Sequence, residues 1–127
     1  MSEAVLDASA PLALLQGEPG AERVAAALPR AAISGVNLSE VVAKLTDGGL
    51  PAEAIRASLA GLDLDVRPFD EVLAYDAGEL RPATRARGLS LADRACLALA
   101  RRLDAKALTA DRAWLGLEVG VVIEAIR

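Results

Sequence analysis

Histidine is absent from this 127-residue chain, cysteine occurs once, and phenylalanine, tyrosine and tryptophan occur once each. Without imidazole there can be no Ser-His-Asp triad, no Cys-His dyad, no histidine general base and no His-ligated zinc or haem. The lone Cys96 can form no disulfide within the chain, and in Ala95-Cys96-Leu97-Ala98-Leu99 it reads as a small core hydrophobe. Three aromatics are too few for a platform that stacks bases, so a nucleic acid would be recognised through its shape and phosphate positions. Met1 to Asp7 has no basic region and carries acids inside its first apolar stretch, unlike a secretory signal. A cytoplasmic location without membrane attachment is expected, since no long uncharged apolar run is present either.

What the chain does contain is 54% apolar residues, 25% charged residues and an acid excess, 18 Asp and Glu against 14 Lys and Arg. That composition is too apolar for disorder, and a net charge of −4 argues against an overall basic nucleic-acid binder. No repeat, low-complexity tract or linker divides it, so residues 1–127 read as one domain.

Short β-type runs alternate with Ala- and Leu-rich helical stretches: Ala4-Val5-Leu6, Ala32-Ile33-Ser34, Leu64-Asp65-Val66, Ala107-Leu108-Thr109 and Val121-Val122-Ile123. The alternation predicts an α/β domain on a mainly parallel sheet of about five strands. Leu38, Val41, Val42 and Leu45 have helical spacing ahead of Gly48-Gly49, and a second helix is expected from Pro51 to about Leu59. Leu62 to Val66 alternates apolar and polar residues, which places that strand near a sheet edge, closed by Pro68. A polar helical stretch follows from Asp70 to Arg87, interrupted near Pro82. Leu91 to Leu103 is so apolar that it must be buried around most of its circumference.

Four acids, Asp7, Glu40, Asp93 and Asp111, fall where a strand gives way to a helix or a helix has just begun. In an open α/β sheet these junctions share the carboxyl edge, where ligand sites form. Capping offers a second explanation. Asn37-Leu38-Ser39-Glu40 and Ser90-Leu91-Ala92-Asp93 both fit a capping box, and Asp7 and Asp111 can each serve as an N-cap. Because α/β topology puts every such cap on the same edge, convergence alone does not separate the two readings. The chemistry that uses carboxylates without histidine is Mg²⁺ or Mn²⁺ binding, in which hard cations take oxygen ligands and serve phosphoryl displacement.

Val5-Leu6-Asp7-Ala8-Ser9-Ala10, Asn37-Leu38-Ser39-Glu40-Val41, Gly88-Leu89-Ser90-Leu91-Ala92-Asp93-Arg94 and Leu108-Thr109-Ala110-Asp111-Arg112-Ala113-Trp114, in that order, span essentially the whole chain. Together they resemble PIN-domain ribonucleases, specifically VapC-type toxins of toxin–antitoxin pairs. The resemblance implies a single PIN-like α/β/α domain and an Mg²⁺-dependent endoribonuclease, with Mn²⁺ as a substitute, that cleaves RNA by metal-activated water. It also implies a cognate VapB-like antitoxin as inhibitor and a homodimer. Carried over by position, its acidic quartet is Asp7, Glu40, Asp93 and Asp111. Asp7 and Asp93 would ligate metal directly, Glu40 would hold a metal or orient water, and Asp111 would complete a second metal position.

Ser9 and Thr109, each two residues from a site acid, are candidates for hydroxyls that orient a carboxylate. Arg81, Arg85, Arg87, Arg94, Arg101 and Arg102 make a locally basic stretch in an acidic chain. Arg87, Arg94 and Arg112 lie nearest the site acids, so they are candidates to grip RNA phosphates or antitoxin carboxylates. Two other classes compete with the nuclease. A receiver-like Mg²⁺-binding phosphoacceptor would want paired acids after the first strand and a lysine after a late one, whereas Asp7 stands alone and Lys106 precedes its strand. A non-catalytic interaction module would use the four acids only as caps.

Overall fold

In the computed structural model, which describes residues 2–127, the strands are β1 (Ala4–Leu6), β2 (Ala31–Ser34), β3 (Asp65–Arg67), β4 (Lys106–Thr109) and β5 (Ile123–Ala125). They form one parallel sheet in the order β3-β2-β1-β4-β5. The chain builds outward from β1 through β2 to β3, then crosses back to lay β4 and β5 on the other side of β1. The strand order therefore reverses between β1 and β4, the place where an open α/β sheet leaves a crevice at its carboxyl edge. Leu6 lies opposite Ile33 on one side and Leu108 on the other, so β1 is the fully enclosed centre.

Seven α-helices cover the sheet: α1 (Ser9–Gln16), α2 (Ala21–Ala27), α3 (Gly35–Asp47), α4 (Ala52–Ala60), α5 (Glu71–Glu79), α6 (Arg81–Thr84) and α7 (Leu91–Arg102). Side chains alternate between sheet faces along a strand, and the central strands use both faces. Val5 and Ala107 pack with α5 and α7, while Ala4, Leu6 and Leu108 pack with α1 and α2. A smaller cluster of Ala8, Leu12, Val41, Leu45 and Ile55 fills the space between α1, α3 and α4. Every residue of α7 from Ala95 to Ala100 is buried, as its composition requires. Among the described residues no helix is long and apolar enough to cross a membrane.

Helix boundaries follow local capping chemistry. α4 runs between Pro51 and Gly61, and α5 starts on Asp70, whose carboxylate accepts from Leu73 N at 2.9 Å. Arg102 also grips Asp70 with two bonds of 2.8 and 3.0 Å, which ties the start of α5 to the end of α7 and holds the carboxyl at about 2, below its usual range. The polar stretch breaks around Leu80, and Pro82 opens the short α6. β3 is an edge strand as expected, starting at Asp65, one residue beyond the expected Leu64.

Three expectations are corrected. The box at Asn37 and Glu40 does not form, because Ser34 at the end of β2 already caps α3 by accepting from Val36 N at 3.2 Å; Asn37 is thereby drawn inside the first turn. Val42 does not join Val41 and Leu45 in the core; it stays 37% exposed on the side of α3 that faces α4. β5 begins at Ile123, leaving Val122 73% exposed. As an edge strand, β5 is placed by its partners: Glu124 takes bonds from Arg23 and from Lys106, the latter at 3.3 Å. Val122 contributes its carbonyl, which accepts from Ala107 N at 2.9 Å, and Val121 packs against the core.

One glycine has no substitute. Gly20 has φ +95°, and a Cβ there would stand 2.6 Å from the carbonyl oxygen of Ile126. Gly20→Ala is expected to cost roughly 2–4 kcal/mol, from left-handed strain plus overpacking against backbone. Urea unfolding of the variant checks this, and a midpoint equal to the parent's would refute the close approach.

Candidate active site

Asp7 directly follows β1 and Thr109 ends β4, so the reversal of strand order sets the two side by side. Asp7 is only 6% exposed. Its Oδ1 accepts from Ser9 Oγ at 2.5 Å and from Ala10 N at 3.3 Å, and its Oδ2 accepts from Thr109 Oγ1 at 2.5 Å. Both hydroxyls are themselves oriented from behind. Ser9 Oγ accepts from Ala110 N at 2.8 Å and Thr109 Oγ1 from Asp111 N at 3.0 Å, so each sends its single proton to Asp7. Ser9 and Thr109 thus hold the two oxygens of Asp7. They also latch the start of α1 to the segment after β4.

Burial dominates the electrostatics of Asp7. It raises the carboxyl from its ordinary 3.8 to about 6, against the bonds from Ser9, Thr109 and Ala10, which favour the charged form; the charge of Asp93 adds to the rise. Ala8 occupies the N-cap position of α1, so Asp7 is a partial cap at most. A pure cap would gain nothing from being buried at this cost.

Glu40 and Asp93 approach from α3 and α7. Asn37, completely buried, donates through Nδ2 to Ala92 O at 3.0 Å and to Glu40 Oε1 at 3.4 Å, joining Glu40 to the turn of α7 that carries Asp93. Asp93 makes the capping box that its sequence predicts: Oδ2 accepts from Ser90 N at 2.9 Å and Ser90 Oγ from Asp93 N at 3.2 Å. That engages one carboxylate oxygen and leaves the other without a hydrogen bond among the described residues. Cys96 lies three residues further along α7, buried. Its thiol is pushed well up, first by burial and then by the charges of Asp7, Asp93 and Glu40, so these three acids share one neighbourhood and the thiol is chemically inert.

Asp111 is the outlying member. It is exposed, and its Oδ1 caps the 3-10 turn Arg112–Trp114 by accepting from Ala113 N at 2.9 Å. Its connection to the other acids runs through its backbone N–H and Thr109 to Asp7.

The donor set fits a hard divalent cation. It is all oxygen, and among the described residues none of the four acids has a basic partner; the ion pairs are Arg23–Glu124, Arg30–Glu3, Arg67–Asp65, Arg102–Asp70 and Lys106–Glu124. Asn37 Oδ1 adds a buried acceptor with no hydrogen-bond donor. The acids are not drawn into a closed cage: among the described residues no three of them are gathered tightly enough to ligate an ion as they stand. Caps hold Asp93 and Asp111, Asn37 holds Glu40, and like charges resist closer approach.

The candidate arginines are engaged within the chain. Arg87 donates to Ala113 O at 2.9 Å and to Leu115 O, bracing the loop after Asp111, and Arg112 donates to Arg127 O at 3.0 Å. Arg94 donates to Ala77 O at 3.0 Å and buries its Nε, which ties α7 to α5. Lys106 begins β4, at the opposite end from Asp7, and pairs with Glu124. A receiver-like site would need that ammonium at the carboxyl edge. Sequence reasoning missed the bridging role of Asn37, although its i, i+3 spacing from Glu40 already put the two on one face.

A family model described as the PIN domain matches residues 4–118. Among solved structures, the chain is similar to a DNA-bound VapBC complex from Salmonella typhimurium, with 22% identity, a TM-score of 0.79 and full coverage of both chains. A toxin–antitoxin complex from Klebsiella pneumoniae matches with 19% identity, a TM-score of 0.76 and 98% of each chain covered. VapBC-5 from Mycobacterium tuberculosis matches with 25% identity and a TM-score of 0.61, over 100% of this chain and 99% of that one. No curated protein matches the sequence.

Proposed function

The chain belongs to the PIN-domain family, and from that premise we propose that it is the toxin of a VapBC-type pair, an Mg²⁺-dependent endoribonuclease. The observation that carries the reading is Asp7: a carboxylate buried beside β1 and β4, held by two oriented hydroxyls, within reach of the charge of Asp93 and, among the described residues, without a basic partner. At neutral pH the burial of that charge costs the fold stability, a cost that a bound cation would offset.

In this reading Asp7 and Asp93 hold the metal, with Glu40 and Asp111 completing the site. Bound there, Mg²⁺ or Mn²⁺ supplies Lewis acidity to a phosphodiester and activates water for its hydrolysis. The bonds from Ser9 and Thr109 favour the ionised form of Asp7 against its burial and fix both of its oxygens. Glu40, with Oε1 held by Asn37, keeps Oε2 to orient water or take its proton. Arg87 holds the turn capped by Asp111 through Ala113 O and Leu115 O, Arg112 ties that turn to Arg127 O, and their remaining N–H groups are the candidates to meet RNA phosphates or antitoxin carboxylates. Arg94 serves the same proposal only from its partly buried place on α7.

A cognate VapB-like antitoxin is the proposed inhibitor, supported by the toxin–antitoxin complexes to which the fold is similar. A groove of about 490 Å³ between α3, α4 and β3, lined by Leu38, Val42, Ile55, Leu59 and Val66, is the surface that would take its apolar side chains. Val72 and Tyr75, exposed on α5, give a separate apolar face for a homodimer. With RNA as substrate, the proposed location is the cytoplasm.

The test is RNA cleavage by the purified protein with Mg²⁺ and with EDTA. Cleavage is expected to stop on chelation and return with added Mg²⁺ or Mn²⁺. Cleavage that continues in EDTA would remove the metal from the mechanism.

A further inference from the structure

Asn37 breaks the local rules of a stable helix. Asparagine is a weak helix former, and a fully buried amide with a free Oδ1 costs folding energy. An apolar side chain of similar size would suit the junction of α3 and α7 better, so its retention calls for a function. Its orientation is not ambiguous: turning the amide over would aim Oδ1 at Ala92 O and at Glu40 Oε1, two acceptors. Only the NH₂ group satisfies both.

We infer that Asn37 is a positioning residue, which holds Glu40 in register with Asp93 by bridging α3 to the first turn of α7. The inference rests on the proposed metal-dependent nuclease reading and deepens it. Ala92 O belongs to the residue before Asp93, and Glu40 Oε1 is the other end of the same bridge, so one amide sets the spacing of two proposed ligands. The backbone alone does not do this. Glu40 lies in the second turn of α3 with a flexible side chain, and no other hydrogen bond restrains its carboxylate among the described residues. Asn37 thus removes the conformational freedom that Glu40 would otherwise lose on meeting a cation, the usual contribution of a group behind a metal ligand.

The experiment is a double-mutant cycle on Mn²⁺ affinity. Free Mn²⁺ is followed by electron paramagnetic resonance, which reads weak binding, on the native chain, Asn37→Ala, Glu40→Ala and the double variant. Asn37→Ala is expected to weaken Mn²⁺ about 10-fold or more in the native background. In the Glu40→Ala background the same change is expected to cost nothing further, because the group through which it acts is gone. A loss of equal size in both backgrounds, or none in the native one, overturns the positioning role. Should Asn37→Ala be recovered unfolded, Asn37→Ser enters the same cycle under the same criteria. A native chain that binds no Mn²⁺ at all overturns the nuclease reading itself, a result distinct from additivity.

Discussion

Asp7→Asn is expected to lose RNA cleavage by about 10³-fold while making the metal-free protein more stable at neutral pH. The activity loss follows from removing the charge of a proposed metal ligand, which a neutral amide cannot replace. The stability gain follows from the proton balance. The Asp7 carboxyl is raised from 3.8 in an unfolded chain to about 6 in the fold, chiefly by burial. Its favourable contribution is therefore complete below pH 3.8 and is lost as pH rises through about 6; above that, the charged form costs about 2–3 kcal/mol. Asparagine carries no such cost. It does sacrifice one bond, since its NH₂ must face a hydroxyl that already accepts from a backbone N–H, which offsets about 1 kcal/mol.

The net expectation is a gain of about 1–2 kcal/mol at pH 7.5 that vanishes toward pH 4. Urea unfolding in EDTA at the two pH values measures it. A variant less stable than the native chain at pH 7.5 would show that the hydrogen bonds to Asp7 outweigh the cost of burying its charge. Mg²⁺ provides an internal control, because a cation that binds only the folded state should raise the melting point of the native chain and leave that of Asp7→Asn nearly unchanged.

The second large effect is structural. Trp114 is the largest fully buried side chain and ends the turn that Asp111 caps, so the core anchors the loop carrying the outermost site acid. Trp114→Ala is expected to cost about 3–5 kcal/mol through the cavity it leaves. Trp114→Phe should be much milder: the indole Nε1 is buried without an acceptor, so losing it removes an unsatisfied donor along with part of the ring. Far-UV circular dichroism melts separate the two. Equal destabilisation by both changes would mean that the indole N–H has a partner.

Much of the site was legible because local chemistry writes itself into short motifs. The Ser90–Asp93 box forms as its spacing requires, since both partners lie within one turn and nothing outside competes. The same logic failed at Asn37 and Glu40, where Ser34 captures the helix start first. At the last strand, Val121-Val122-Ile123 had the right composition, but the strand runs Ile123–Ala125, in register with Ala107–Thr109 and with Glu124 held by Arg23 and Lys106, partners distant in sequence. The arginines near the site acids likewise looked free for phosphate, and the fold gives each of them a carbonyl to hold.

By itself the sequence determined the class of fold. Alternating strand and helix patterns point to a parallel α/β sheet, while the four junction acids fit both capping and the hard-cation chemistry proposed above. The tertiary structure alone decided which carboxylate is costly. Asp7 and Asp111 look alike as caps, yet the reversal of strand order buries Asp7 between β1 and β4 and leaves Asp111 in solvent. Burial is a property of neighbours remote in the chain, and it sets apart two carboxylates that look alike in the sequence.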